Sequence, residues 1–98
     1  MKQDFRIIIF GHNENRLLIR ILIILEKRNL KLTYIQVSYK DDNKHIGQSI
    51  IIDIKCLEEQ LIKIIKLIKN LIGIIHVDIK NNSKKSWKLV NLNIPLII

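Results

Sequence analysis

The turn between Phe10 and Leu17 holds the residues with the most specific chemical potential in this chain. An apolar run ends at Phe10, the polar stretch 11–15 follows, and apolar residues then recur at helical spacing. A helix that begins at such a turn has backbone N–H groups without intrahelical partners, and these can bind a carboxylate or a phosphate. The turn therefore predicts an anion-binding site that needs no catalytic side chain.

Catalytic and metal-binding patterns are weaker. The single cysteine and the three histidines do not stand at ligand spacings such as CxxC or HExxH, so surface histidines are the better interpretation. No serine has a neighbouring base or a glycine elbow, and no Walker or GxGxxG loop is present. Asp41 and Asp42 suit a solvated hairpin turn better than a cation site. The residues considered and set aside are His12, His45, His76, Cys56, Ser38, Ser49, Ser83 and Ser86.

Composition indicates one small domain with biased residue usage. Of 98 residues, 24 are Ile, 13 are Lys and 9 are Asn, and there is no Ala. A net charge of +8 ordinarily suggests a nucleic acid or an anionic surface as partner. Half of that excess lies in residues 80–98, which hold four lysines and no acid. The bias therefore makes the charge weak evidence for a nucleic-acid partner.

Cysteine content and hydropathy favour a cytoplasmic protein without a membrane partner. A single cysteine excludes an internal disulfide and suits a reducing compartment. The first residues lack the apolar region of a signal peptide. The longest helical apolar stretch runs from Leu17 to Leu25 and includes Arg20, whereas a bilayer span takes roughly 20 residues.

Hydrophobic periodicity predicts four strands and two helices in the order β-α-β-β-α-β. Asn13 or Asn15 is expected to cap the first helix, and Asn29 to end it in a left-handed conformation. Right-handed crossovers place both helices on one face of a four-stranded antiparallel sheet, which is the ferredoxin-like α+β fold. The predicted strands are residues 5–10, 35–40, 49–55 and 75–80, and the predicted helices are residues 17–25 and 57–71.

The alternation of apolar and polar residues predicts which strand faces are buried. Residues 35, 37 and 39 are expected on a half-buried strand, and residues 75, 77 and 79 on the core face of the last one. Four isoleucines fall outside the core set, and they are either scattered by the Ile excess or form a self-association surface: Ile19, Ile23, Ile51 and Ile74.

The C-terminal residues carry weaker signals. Residues 80–86 have the composition of a loop, and alternation over residues 90–94 predicts a strand that Pro95 restricts to a sheet edge. RNA-binding domains share the predicted element order, but they stack bases on aromatic residues of the central strands. The third predicted strand contains no aromatic residue, so RNA binding is the less favoured alternative.

Residues 12–21 resemble the E-N-x-x-G-x-L-x-R-[IV] signature of the acetolactate synthase small subunit, a regulatory protein that contains an ACT domain. Asn13, Leu18, Arg20 and Ile21 match the signature. The resemblance extends over residues 4–79 in element order, element length and turn position. It implies an ACT-like domain over residues 4–79, followed by a C-terminal extension over residues 80–98.

Two departures from this family matter. The glycine of the signature is Arg16 here, and Lys31 stands at the start of the second strand, where the family often has asparagine. Glycine allows close backbone approach or positive φ, which arginine restricts. We therefore expect feedback inhibition by valine to be weakened.

The resemblance implies a noncatalytic regulatory subunit that supports the large, catalytic subunit of acetolactate synthase in valine, leucine and isoleucine biosynthesis. Thiamine diphosphate, Mg²⁺ and FAD would then belong to the catalytic subunit, and this chain would hold no cofactor. An amino-acid effector would bind near Asn13, Asn15 and Leu17, in a homodimer joined through the first helix and the neighbouring strand. A stand-alone ACT-like ligand sensor and a basic nucleic-acid-binding module remain the alternatives.

Overall fold

The computed structural model describes residues 2–41, 46–83 and 86–89, which form one five-stranded antiparallel sheet and two helices. The strand order is β2-β3-β1-β4-β5. Its first four strands, together with the two helices, confirm the predicted ferredoxin-like βαββαβ arrangement. The elements are β1 (Gln3–Gly11), α1 (Asn15–Lys27), β2 (Lys31–Asp41), β3 (Ile46–Cys56), α2 (Glu58–Lys69), β4 (Ile74–Ser83) and β5 (Ser86–Leu89).

The hydrophobic core lies between both helices and one face of the sheet. Alternate residues of β1 and β3 are buried, as expected when one face of a strand is covered. The buried residues of α1 recur every four positions, so that helix presents one stripe to the sheet. The core consists of Phe5, Ile7, Ile9, Leu17, Ile21, Leu25, Ile50, Ile52, Ile54, Cys56, Leu61, Ile64, Ile65, Ile68 and Ile79.

Strand β2 is more exposed than the sequence predicted. Ile35 and Tyr39 lie on the helix-facing side of the sheet, opposite Ile52 and Gln48 of β3. Their exposed fractions are nevertheless 37% and 64%, and only Val37 between them packs against the core. The prediction of a half-buried strand is wrong for Ile35 and Tyr39, because β2 is an edge strand and the covered part of the sheet centres on β1 and β3.

A β-bulge changes the inward set of residues on β4. Phe10 pairs with His76 whereas Gly11 pairs with Ile74, so one residue of β4 is left over between them. Consequently Ile74 packs against the core and Ile75 is exposed, the reverse of the prediction from simple alternation. Ile79 is buried as predicted.

The helix ends agree only in part with the predictions. The N-cap of α1 is Glu14, without a side-chain capping bond, so the expected cap at Asn13 or Asn15 is wrong. Asn29 has φ 52°, which confirms the predicted left-handed end. Leu57 is the exposed N-cap of α2, not a member of its buried face.

The sheet continues past the predicted loop. β4 extends through Ser83, and β5 pairs with it, with Lys80 opposite Leu89. The loop prediction for residues 80–86 is therefore wrong over most of that range, because the open edge of β4 supplies backbone partners to residues with poor β-propensity. The strand predicted over residues 90–94 lies outside the described residues, as do Asp42 and His45. The domain boundary after residue 79 stays a prediction.

Neither helix in the part of the chain that the structure describes is long and apolar enough to cross a membrane.

Candidate functional site

The loop between β1 and α1 is held in place by backbone hydrogen bonds. We call residues 12–14 the β1–α1 loop. The His12 N–H donates to the Gly73 carbonyl oxygen at 2.7 Å, which ties the loop to the turn before β4. The Glu14 N–H donates to the His12 carbonyl oxygen at 2.8 Å. The start of α1 is therefore fixed relative to two strands of the sheet.

Gln48 of β3 clamps the same loop through its side-chain amide. Its Nε2 donates to the carbonyl oxygens of His12 at 3.0 Å and Glu14 at 2.8 Å. Gln48 is 2% exposed and is the one buried polar side chain among the described residues. Gln48 was not identified as a site residue from the sequence. The signal was present, because Gln48 falls on the same face of the strand as Ile50 and Ile52, and a polar residue on a core face is unusual. Breaking such buried bonds costs about 1–3 kcal/mol per group left unsatisfied.

Two glycines allow the strands to approach each other beneath the loop. A Cβ on Gly11 would lie 2.6 Å from Leu17 Cδ2 and 2.8 Å from the Gly73 carbonyl oxygen. A Cβ on Gly47 would lie 2.5 Å from the Gly11 carbonyl oxygen and 3.0 Å from Phe10 Cζ. Because two of these contacts are with backbone, a side chain at either glycine would push the strand ends apart.

The structure places the three predicted effector residues in different environments. Asn13 is exposed on the β1–α1 loop, and Asn15 is the first residue of α1. Leu17 is buried in the core, and its N–H donates to the Glu14 carbonyl oxygen at 3.2 Å. A carboxylate at this helix end would therefore depend on the N–H groups of Asn15 and Arg16, which helix geometry leaves without intrahelical partners.

Arg16 lies in the first turn of α1, just after the β1–α1 loop, and its side chain is exposed. Positive φ is confined to Asn29 and Gly73 among the described residues, so the conformational freedom of a glycine is not used at position 16.

Charges of both signs surround the helix start. Glu14 Oε1 lies 3.5 Å from Arg20 Nη1, and both side chains are more than a third exposed. A pair this exposed contributes about 0–1 kcal/mol to stability. Arg16 and Arg20 would attract an anionic ligand, whereas the Glu14 carboxylate competes for the same positive end of the helix.

Exposed apolar side chains gather on α1 and on the edge strand β2. We call them the α1–β2 apolar surface: Ile19, Ile23, Leu32, Ile35 and Tyr39. Within the described residues, β2 pairs only with β3, so its other edge has unpaired backbone groups over an 11-residue strand. A long edge flanked by apolar side chains is typical of a self-association site.

The face of the sheet opposite the helices carries a bidentate ion pair between Arg6 of β1 and Asp53 of β3. Arg6 donates from Nε and Nη2 to the two carboxylate oxygens of Asp53, at 2.8 and 2.9 Å. The Arg6 guanidinium also lies 5.8 Å from the centre of the Tyr34 ring. The hydrogen bond with Asp53 raises the pKa of Arg6, and the ion pair joins neighbouring strands because Arg6 lies opposite Asp53 in the pairing of β1 with β3.

Cys56 is the strongest nucleophile by residue type, and its environment opposes reactivity. Burial raises the pKa of its thiol to about 11. The thiolate is the reactive form, so the raised pKa lowers the reactivity of this thiol at neutral pH. Within residues 2–41, 46–83 and 86–89, no group of three His, Cys, Asp or Glu side chains is placed to hold a metal ion.

No protein-family model and no curated protein matches this sequence. Several solved structures share its fold. The ACT domain of GTP pyrophosphokinase from Chlorobium tepidum superposes with a TM-score of 0.67 at 15% identity, covering 81% of this chain and 99% of that domain. The C-terminal domain of the MgtC protein from Mycobacterium tuberculosis gives 0.69 at 10% identity, covering 86% and 92%. An uncharacterized protein from Thermotoga maritima gives 0.63 at 10% identity, covering 85% and 100%.

These similarities establish an ACT-like fold, and identities of 10–15% establish the fold alone. The part of the resemblance that concerns the ACT domain is thereby supported. The part of the resemblance that concerns acetolactate synthase depends on the signature match over residues 12–21.

Proposed function

We propose that this chain is a noncatalytic regulatory subunit that acts in the cytoplasm as a homodimer. The observation that carries the proposal is the β1–α1 loop of an ACT-like fold, clamped by Gln48 at the start of α1. A clamped loop presents the N–H groups of the helix start in a fixed arrangement, so a ligand need not bear the cost of ordering them.

We further propose the catalytic subunit of acetolactate synthase as its partner, in branched-chain amino-acid biosynthesis. The signature match at Asn13, Leu18, Arg20 and Ile21 supports this choice. Thiamine diphosphate, Mg²⁺ and FAD would be bound by the catalytic subunit.

Titration of this chain into a purified acetolactate synthase catalytic subunit tests the proposed partner. We expect a stable complex and a rise in the rate of acetolactate formation. Bovine serum albumin at equal concentration controls for nonspecific stabilisation. If no complex forms and the rate does not change, the proposed partner is wrong, and a stand-alone ligand sensor becomes the better hypothesis.

Valine is expected to bind this complex weakly. Glu14 competes with the ligand carboxylate, and Leu17 has no free N–H to offer. Titration calorimetry of the complex with valine should give a dissociation constant of about 1 mM or higher, where the binding free energy is only about −4 kcal/mol. Glu14→Gln removes the competing charge and should tighten binding. Micromolar binding by the unmodified chain would contradict the prediction.

The homodimer is expected to form through the β2 edge. Two copies related by a two-fold axis can pair their β2 strands and bring together the exposed residues of the α1–β2 apolar surface. Ile35→Lys places a charge in that contact and should raise the dimer dissociation constant about tenfold or more.

Analytical ultracentrifugation of Ile35→Lys measures this effect, and Ile72→Lys is the matched control. Ile72 is 79% exposed in the turn before β4, away from β2, so the same substitution there should leave the dimer intact. A monomeric wild-type chain, or equal weakening by both substitutions, would rule out the β2 interface.

A further inference from the structure

A groove with a volume of about 500 Å³ lies where the C-terminal end of α1 meets the first turns of α2. Among the described residues it is lined by Lys27, Arg28, Gln60 and Lys63, and three of these four residues are cationic. The β1–α1 loop is at the other end of α1, about 18 Å away for a helix of 13 residues. The groove is therefore separate from the proposed effector site.

No carboxylate of the described residues forms an ion pair with the cations of the groove, because none lies within 4.0 Å of the Lys27, Arg28 or Lys63 side chains. The two acids in the first turn of α2, Glu58 and Glu59, line a different groove. The cations thus gather where the two helices meet, with Lys27 and Arg28 at the end of α1 and Lys63 on α2.

Most of the polar side-chain groups in the groove are hydrogen-bond donors. Lysine and arginine side chains have no acceptor. Gln60 contributes an NH₂ group, and one lone pair of its Oε1 accepts the Leu57 N–H at 2.9 Å. Arg28 is held by a bond from Nη1 to the Ile24 carbonyl oxygen at 3.3 Å, which uses one of its five N–H donors.

We propose that this groove binds a small anion that carries two or more phosphate groups. Phosphate oxygens are acceptors only, which matches a lining of donors, and the guanidinium fork of Arg28 fits two of them at once. A volume of about 500 Å³ suits a small-molecule ligand, whose pockets measure roughly 300–1,000 Å³. Several negative charges are needed to balance three cations, which a single carboxylate cannot supply. This site is additional to the proposed regulatory function.

Titration calorimetry with inorganic tripolyphosphate at physiological ionic strength tests the proposal. Lys63→Gln should weaken binding about fivefold, because one charge-assisted contact is lost at a partly exposed site. Lys69→Gln is the matched control: it lies at the other end of the same helix, six residues or about 9 Å along the axis from Lys63, and removes the same charge without touching the groove. It should change the affinity less than about twofold, because salt screens charges beyond about 8 Å.

Equal weakening by both substitutions would mean that binding follows net charge, and would overturn the proposal. The absence of tripolyphosphate binding at physiological salt would also overturn the proposal, even if a poly-glutamate peptide binds.

Lys27→Gln gives a second variant, and circular dichroism verifies that each variant is folded. Comparison with ATP identifies the ligand: tighter ATP binding indicates a nucleotide, and equal binding indicates the phosphate chain itself. None of these measurements depends on dimerisation or on acetolactate synthase.

Discussion

Gln48→Glu is expected to lower the free energy of unfolding by about 3 kcal/mol at pH 7, because burial raises the pKa of the introduced carboxyl and the hydrogen bonds to the loop are lost. The Gln48 amide donates two hydrogen bonds, to the carbonyl oxygens of His12 and Glu14. An ionised carboxylate has the same shape but cannot donate, and it would face two carbonyl oxygens in a site that is 2% exposed.

The loss of stability should depend on pH. Burial and the two carbonyl oxygens disfavour the charged form, so the pKa of the introduced carboxyl is higher in the folded state than its ordinary value of about 4.3. The folded state therefore holds the proton more tightly than the unfolded state does. The variant should be least stable above the folded pKa and should recover, relative to wild type, as the pH falls through that pKa towards about 4.3.

Urea denaturation of Gln48→Glu at pH 7 and pH 5 measures both effects. Gln36→Glu provides the control, because Gln36 is an exposed residue on the neighbouring strand β2 and the same change should cost little there. If Gln48→Glu were as stable as Gln36→Glu at pH 7, the clamp on the β1–α1 loop would not exist in solution. Recovery of stability with rising pH would contradict the burial of the introduced carboxyl.

Gly47→Ala is expected to destabilise the protein by about 2–3 kcal/mol, at the upper end of overpacking effects. The added Cβ would lie 2.5 Å from the Gly11 carbonyl oxygen, which belongs to the backbone of β1 and cannot turn away as a side chain would. The pairing of β1 with β3 at the loop end must open to relieve the contact. In a domain of this size, the melting temperature should fall by about 10 °C or more.

Differential scanning calorimetry measures the fall, with Ser38→Ala as the comparison. Ser38 is exposed on β2, so that change also introduces alanine into the sheet but creates no close contact. Equal melting temperatures for the two variants would show that the strands have room for a Cβ at residue 47. Gly11→Ala should resemble Gly47→Ala, because its Cβ would meet the Gly73 carbonyl oxygen at 2.8 Å.

These two changes act on one structural unit. Gln48 holds the β1–α1 loop from below, and Gly47 lets the strand that carries Gln48 approach β1. A loop held in this way can present the start of α1 to a ligand without rearrangement. Substitutions that loosen the clamp should therefore weaken effector binding as well as lower stability. Substitutions of residues that only pack in the core should lower stability alone.

The sequence by itself determined the order of the elements and most of the core. A strand with one buried face must alternate with a period of two, and a helix on a sheet must carry an apolar stripe with a period near 3.6. Ile50 and Ile52 of β3 and Leu61 of α2 follow these periods and are buried. The left-handed end of α1 at Asn29 was also predictable, because asparagine is one of the residues that adopt this conformation at helix ends.

Only the tertiary structure decided which residues form the sites. Gln48 meets His12 across 36 positions of sequence, and Lys63 shares a groove with Lys27 because two helices lie side by side. The bulge that exposes Ile75 depends on how β4 pairs with β1. Local periodicity reports which face of an element is apolar. It does not report which residues from distant elements meet, because the packing of those elements against one another sets their contacts.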